Sequence, residues 1–192
     1  MKVRDVMKLI AIYALLAAVG SLGYVLTFRT PIFAGMTVFF YRGIAIILLW
    51  GALVSAAMFL LRRWWFRSLI TVRDILLLLC AFCCIHIVVF THLPVTADRS
   101  ISVFMLGTMA GGEDGAVDSF TKEELEEAFI TTYVGSYDAF GKRLEEQIVT
   151  GTIVVTEDGE YRITDSGLAI LALYDKISDW YGIDKKLIHP SE

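Results

Sequence analysis

The sequence predicts a helical membrane anchor of about three transmembrane helices followed by a separate, polar α+β domain. Composition is the first observation behind this: 56% of the 192 residues are apolar, and the mean hydropathy of +0.63 is well above that of soluble domains. The second is a charge split. Residues 1–93 hold nine Lys/Arg against Asp5 and Asp74, a formal +7, whereas residues 94–192 hold eight against nineteen acidic residues, a formal −11.

Three apolar runs make up the anchor, at 9–28, 44–61 and 75–93, each close to the roughly 20 residues a helix needs to cross a bilayer. The second run could begin earlier, because PIFAGMTVFF ahead of it is also apolar, but Arg42 would then have to snorkel or find a partner. A signal peptide is the alternative for the first run, since Lys2, Arg4 and Lys8 precede it. The run is longer than a signal core, which favours a span.

Lys2, Arg4 and Lys8 flank the first run, and RRWWFR with Arg73 lies between the second and third. Both groups are expected on the cytoplasmic side. Three crossings then put the C-terminal domain outside the cytoplasm, in the cell membrane. Trp64 and Trp65 among arginines fit an interfacial belt in contact with membrane lipids. Cys80, Cys83 and Cys84 all fall within the third run, so the polar half has no disulfide framework. With His86 they could be imagined as a metal or haem site, but the ligand set is incomplete, and neither metal nor cofactor is expected. His86 is expected to make a polar contact inside the membrane, for instance with a neighbouring subunit's helix.

In residues 94–192, Ile101, Phe104 and Met105 have helical spacing, which the Gly-rich GGEDGAVDS stops. Thr121 and Glu124 form a capping box with Phe120 and Leu125 as its staple, predicting a helix from Lys122 to about Tyr133. Ser136 is the expected cap of a third helix carrying Phe140, Leu144 and Ile148 on one face and ending at Gly151. TIVVTEDGEYRIT then reads as a hairpin turning at Asp158-Gly159. Thr164 precedes a last helix whose Ile170, Leu173, Tyr174, Ile177, Trp180 and Tyr181 trace one stripe. His189, near the end of the chain, is expected to be frayed.

The segment RLEEQIVTGTIVVTEDGEYRITDSGLAIL resembles the third helix, wing and following helix of the winged-helix superfamily, and the likeness extends over about residues 99–182. It implies a winged-helix-like fold, with the third helix and wing as the surface that DNA-binding relatives present to duplex DNA. This sequence departs from such relatives in charge. Glu145 and Glu146 balance Lys142 and Arg143, the wing carries Glu157, Asp158 and Glu160, and the second helix adds Glu123, Glu124, Glu126 and Glu127. Such a surface repels phosphates, so no nucleic acid is expected as partner.

The junction THLPVTADRS, residues 91–100, draws His92, Pro94, Asp98 and Arg99 together where apolar sequence turns polar. Its geometric account has Pro94 ending the span, Thr96 or Asp98 capping the next helix and Arg99 near lipid phosphates. Its functional account makes Arg99 a bidentate clamp on a lipid-linked phosphate or a partner, His92 a second donor and Asp98 the orienting group. No catalytic constellation appears elsewhere. The function expected is therefore a small non-enzymatic membrane accessory subunit that docks on a larger membrane or envelope protein, in a setting such as an envelope polysaccharide or glycolipid system. The alternatives are a membrane-tethered winged-helix transcription regulator, which needs the opposite orientation, and an interfacial enzyme acting on a lipid-linked phosphate.

Overall fold

The computed structural model describes residues 3–110 and 119–190, which divide into two compact units, 1–103 and 104–192. The GGEDGAVDS stop signal lies for the most part outside the described residues.

The N-terminal unit is built on α1 (Val3–Thr27), α2 (Phe39–Trp64) and α3 (Val72–His92), followed by the short α4 (Pro94–Arg99). All three long helices are long and apolar enough to cross a membrane. Each starts several residues before its apolar run, and α1 and α2 begin with segments that carry Arg4, Lys8 and Arg42. α2 does begin early, and Arg42 finds partners: its Nη2 donates to the carbonyls of Phe28, Thr30 and Ile32 at 3.3, 2.9 and 3.3 Å. Those carbonyls belong to the turn just past the end of α1, whose own last acceptors at Val25, Leu26 and Thr27 take the N–H groups of Phe28, Arg29 and Thr30. The guanidinium also sits over the Phe28 ring, 5.7 Å from its centre.

α2 runs between the other two helices and packs along both, while α1 and α3 meet only briefly. Between lipid-exposed helices there is little hydrophobic drive, so association depends on close packing and polar links. Both are present. A β-carbon on Gly43 would lie 1.9 Å from Cζ of Phe90, on Gly23 2.1 Å from the Trp50 ring, and on Gly20 2.5 Å from Val54. The missing side chains are the sockets for those rings and branches. Trp50 Nε1 then donates to Thr27 Oγ1 at 2.8 Å, and Tyr13 Oη to the Asp74 carbonyl at 2.7 Å. Two apolar clusters result. Val54, Met58, Ile70, Leu78 and Phe82 form one; Tyr24, Ile46, Ile47 and Phe90 form the other.

The α2–α3 connection is held by a capping box. Thr71 N donates to Asp74 Oδ2 at 2.7 Å while Asp74 N donates to Thr71 Oγ1 at 3.3 Å. Arg62 Nε reaches the Ile70 carbonyl at 3.1 Å, and Ile70 is buried. Trp64 and Trp65 stay well exposed, ring against ring.

The C-terminal unit contains most of α5 (Ile101–Met109), then α6 (Lys122–Ala128), a π-helical continuation over Phe129–Ser136, α7 (Ala139–Val149), strands β1 (Ile153–Val155) and β2 (Tyr161–Ile163), and α8 (Asp165–Tyr181). The Thr121/Glu124 capping box forms. The helix it starts changes pitch at Phe129, where Thr131 Oγ1 bonds the Glu127 carbonyl and Tyr137 N donates to the Thr132 carbonyl at 2.8 Å. Threonines bonding back to the helix backbone compete with its ladder. The wider pitch carries the chain through Ser136, so the expected cap is replaced by Asp138, whose Oδ1 accepts from Gly141 N at 3.2 Å.

β1 and β2 pair antiparallel, Ile153 opposite Ile163 and Val155 opposite Tyr161. The turn uses Gly159 at φ +80°, the conformation glycine supplies without steric cost. Thr164 caps α8, accepting from Gly167 N at 3.2 Å and donating to the Gly151 carbonyl at 2.7 Å. α8 therefore starts close against the hairpin: a β-carbon on Gly167 would sit 2.4 Å from the Thr152 carbonyl oxygen.

That approach decides which face of α8 turns inward. Gly167 and Ser178 are buried and Leu171 is half-buried, while the stripe expected from the sequence is exposed except at Ile177, which is half-buried. α7 behaves similarly. Its inward face carries Glu146, buried and paired with Arg143 Nη1 at 2.6 Å, and Phe140 and Ile148 are exposed. Beyond α8, His189 is tied down rather than frayed: its Nε2 lies 3.2 Å from Asp175 Oδ1, and Lys185 Nζ meets Asp175 and Asp179 at 2.8 and 2.7 Å.

Two predictions follow from this packing. Gly43→Ala should force Phe90 out of its socket and destabilise the anchor by about 1 to 3 kcal/mol, the usual cost of overpacking. Gly35, with nothing within 4 Å of a β-carbon, should accept Ala without effect. Thermal melts of the full chain in detergent compare the two, and equal melting temperatures would refute the socket. The second concerns the tail clasp. Hydrogen bonds from Lys185 and then His189 hold the Asp175 carboxyl below the usual carboxylate range, and Asp175 and Asp179 hold the Lys185 ammonium above its own. The carboxylate contribution is thus complete above its unfolded value near ~3.9 and is lost as pH falls through the lower folded value. The ammonium contribution is complete below ~10.4 and is lost as pH rises through the higher folded value. NMR signals of Leu187 and His189 should therefore report a docked tail from about pH 5 to 9, release in stronger acid, and release at neutral pH in Asp175→Asn.

Candidate functional site

The junction is assembled from the end of α3, the break at Leu93 and the single-turn-and-a-half of α4. Leu93 N still bonds back to the Val89 carbonyl at 2.9 Å, and Pro94 then occupies the first position of α4, where its missing N–H costs nothing. α4 ends at Ser100, whose extended backbone and hydroxyl start α5: Ser100 Oγ accepts from Val103 N at 3.1 Å. The cap expected at Thr96 or Asp98 therefore belongs to Ser100. Thr96 Oγ1 donates instead to the Thr91 carbonyl at 3.3 Å.

His92 is exposed on the last turn of α3. Its Nδ1 lies 2.9 Å from the Val88 carbonyl, which can only accept, so Nδ1 is the donor in that contact; Thr91 Oγ1 lies 3.2 Å from the same nitrogen. Asp98 is half-buried and Arg99 exposed, and both have partners of their own. The three groups thus share one short segment, with His92 held by α3 and the other two by α4.

His86 lies deeper, buried on α3. Its Nδ1 donates to the Phe82 carbonyl at 2.8 Å, the Phe82 ring stacks on it at 3.9 Å, and the Tyr24 ring meets it edge-on at 5.0 Å. It lines a groove of about 370 Å³ between α1 and α3, together with Tyr13, Ser21 and Ile85. Of the nearby cysteines, Cys80 and Cys84 are exposed, and Cys83 packs at Gly51, where a β-carbon would lie 2.9 Å from its Sγ. The sequence pattern missed the glycine sockets and the Thr71/Asp74 box, although T-x-x-D ahead of an apolar run was a visible signal for the latter.

A second concave feature lies in the C-terminal unit. A groove of about 300 Å³ runs between the hairpin and α8, with Tyr161, Ile163, Ile170, Leu171 and Tyr174 as its apolar lining and Gln147 and Arg162 at its rim. No protein-family model, curated protein or solved structure matches the chain.

The junction separates two roles by substitution. Arg99→Lys keeps the charge but loses the planar fork that grips a phosphate through two hydrogen bonds, and Asp98→Asn removes charge at a position that does not cap a helix. Both variants should accumulate at wild-type levels and complement a deletion poorly, with His92→Gln intermediate. Full complementation by all three would leave the segment a helix junction only.

Proposed function

We propose that this protein is a small non-enzymatic membrane subunit: a three-helix anchor whose C-terminal unit lies outside the cytoplasm and docks on a protein partner. The supporting observation is where the apolar residues are buried. Every buried hydrophobic side chain among the described residues belongs to the N-terminal unit, from Tyr24 to Phe90. The C-terminal unit has well-formed helices and a hairpin, yet exposes Phe140, Tyr161, Leu173, Tyr174 and Trp180. An apolar surface that large on a water-facing unit is the mark of a protein interface.

The order of elements, helix, helix, helix, hairpin, helix, supports a winged-helix-like arrangement, and its acidic surface supports a protein rather than a nucleic acid as its target. The junction beside lipid headgroups fits a subunit working next to a lipid-linked phosphate, as in an envelope polysaccharide or glycolipid system. A membrane-tethered regulator would use the same fold with the opposite orientation.

Two measurements test this. A cysteine placed at Ser166, in a chain whose three native cysteines are replaced by Ala, should react with an impermeant maleimide from outside the cell. Protection until the membrane is opened would reverse the orientation and put the regulator ahead. Isolation of the tagged chain in mild detergent should bring down a stoichiometric membrane or envelope protein, and recovery of this chain alone would count against a docking subunit.

A further inference from the structure

α8 carries six apolar residues, Ile170, Leu173, Tyr174, Ile177, Trp180 and Tyr181, at successive offsets of 3, 4, 7, 10 and 11 from the first. This is the spacing of a helix face that packs against another helix. In this structure most of the face is exposed, with Ile177 half-buried. Ile170 is 43% exposed, Leu173 51%, Tyr174 57%, Trp180 75% and Tyr181 77%; α8 meets the hairpin closely at Gly167, and Leu171 lines the groove between them.

We propose that this face pairs, antiparallel, with the same face of a second copy of this chain. Area is the first argument. Aromatic side chains bury ~150–250 Å² each, so the exposed fractions of Tyr161, Tyr174, Trp180 and Tyr181, with half of Ile163, Ile170 and Leu173, amount to roughly 700 Å² per copy, close to the ~800 Å² per partner of a standard interface.

Charge is the second argument. From Asp165 to Pro190 three lysines face four aspartates, so this region is nearly neutral, and the acidic excess of the C-terminal half lies in the segments before it. Two copies can therefore meet at α8 without bringing their acidic surfaces together. A lipid surface is the wrong match: membrane-surface helices flank their apolar face with Lys and Arg, whereas this one is flanked by Asp165, Asp175 and Asp179 against Lys176.

Geometry is the third. A two-fold axis puts the same edge of each face on the same side. Pairing centred near residue 176 sets Tyr174 opposite Ile177, Leu173 opposite Trp180, and Tyr181 opposite Ile170. Ile170 and Tyr174 line the groove between hairpin and α8, so Tyr181 of each copy arrives at the mouth of the other's groove as its anchor. This pairing takes Tyr161, Leu173, Tyr174 and Trp180 out of the exposed surface cited above and leaves Phe140 on α7, the acidic α6 and the hairpin turn for the different protein.

The experiment uses the full chain in native membranes, with Cys80, Cys83 and Cys84 replaced by Ala and one cysteine introduced. Ile177→Cys, close to the two-fold axis, should give with a short bismaleimide a species of twice the 21.5 kDa chain mass. Ser166→Cys, whose counterpart would lie roughly 30 Å away along paired helices at 1.5 Å per residue, should not. Leu173→Glu in the Ile177→Cys chain should reduce the doubled species at least tenfold, with the far-UV spectrum of the purified variant unchanged. A doubled species formed equally from Ser166→Cys, or no doubled species from Ile177→Cys, would overturn the pairing. An Ile177→Cys adduct to a different polypeptide would also overturn it, while leaving the docking of a distinct protein standing. If Leu173→Glu alters the spectrum, the contrast between Ile177→Cys and Ser166→Cys still decides.

Discussion

The anchor depends on the approach of α2 to its two neighbours. In a bilayer an apolar side chain gains little by leaving lipid for another helix, so a bundle holds only where surfaces fit closely or polar groups join. Gly43 and Gly51 let α3 seat Phe90 and Cys83 against α2, and Gly23 lets α1 receive the Trp50 ring. The clusters around Phe82 and Phe90 lie along these seams. Because α1 and α3 meet so little, the groove beside His86 between them is a consequence of α2's central place.

Polar groups at membrane depth follow from the same packing. The Trp50 indole N–H finds Thr27 only because Gly23 allows the ring to lie flat on α1. Arg42 can enter the start of α2 because the turn after α1 offers carbonyls at positions 28, 30 and 32. Its charge is used to gather the carbonyls of that turn. His86 returns its proton to its own helix through Phe82. The Trp50 indole, Arg42 Nη2 and His86 Nδ1 all find acceptors within the three-helix unit, whereas Arg42 Nε is buried with no hydrogen-bond partner.

Much of this was legible in the sequence, and what was not has a physical reason. Three spans, the Thr121/Glu124 box, the Asp158-Gly159 hairpin and the Thr164 start of α8 are local signals, set by a few adjacent residues, and they appear where the sequence puts them. The Ser136 cap failed because the preceding helix widens at Phe129, where Thr131 bonds back to the Glu127 carbonyl, and the next helix is capped by Asp138 instead. Thr96 and Asp98 lost their capping role to Ser100, since Pro94 starts a short helix of its own there. The apolar stripes of α7 and α8 were correctly grouped, but grouping does not say which way a face points. Gly167 and the Arg143–Glu146 pair decide that, through contacts distant in sequence or side-chain pairing that periodicity does not register.

The two units therefore expose apolar surface for opposite reasons. On α1 and α3 the outward residues, Leu15, Leu22, Leu77 and Val88 among them, face a solvent that is itself apolar, and exposure carries no penalty there. The same accounting cannot hold for a unit whose α6 begins with a run of glutamates and whose tail is fixed by Lys185 and Asp175. Those groups need water around them, and beside water an exposed Trp180 or Tyr181 loses roughly the 1.5–3 kcal/mol that burial of a large apolar side chain returns. Local caps and ion pairs hold the elements of this unit in place without covering their apolar faces. In the pairing proposed for α8, stability and association are accordingly one problem, because a second copy covering that face would complete the fold as well as form the interface.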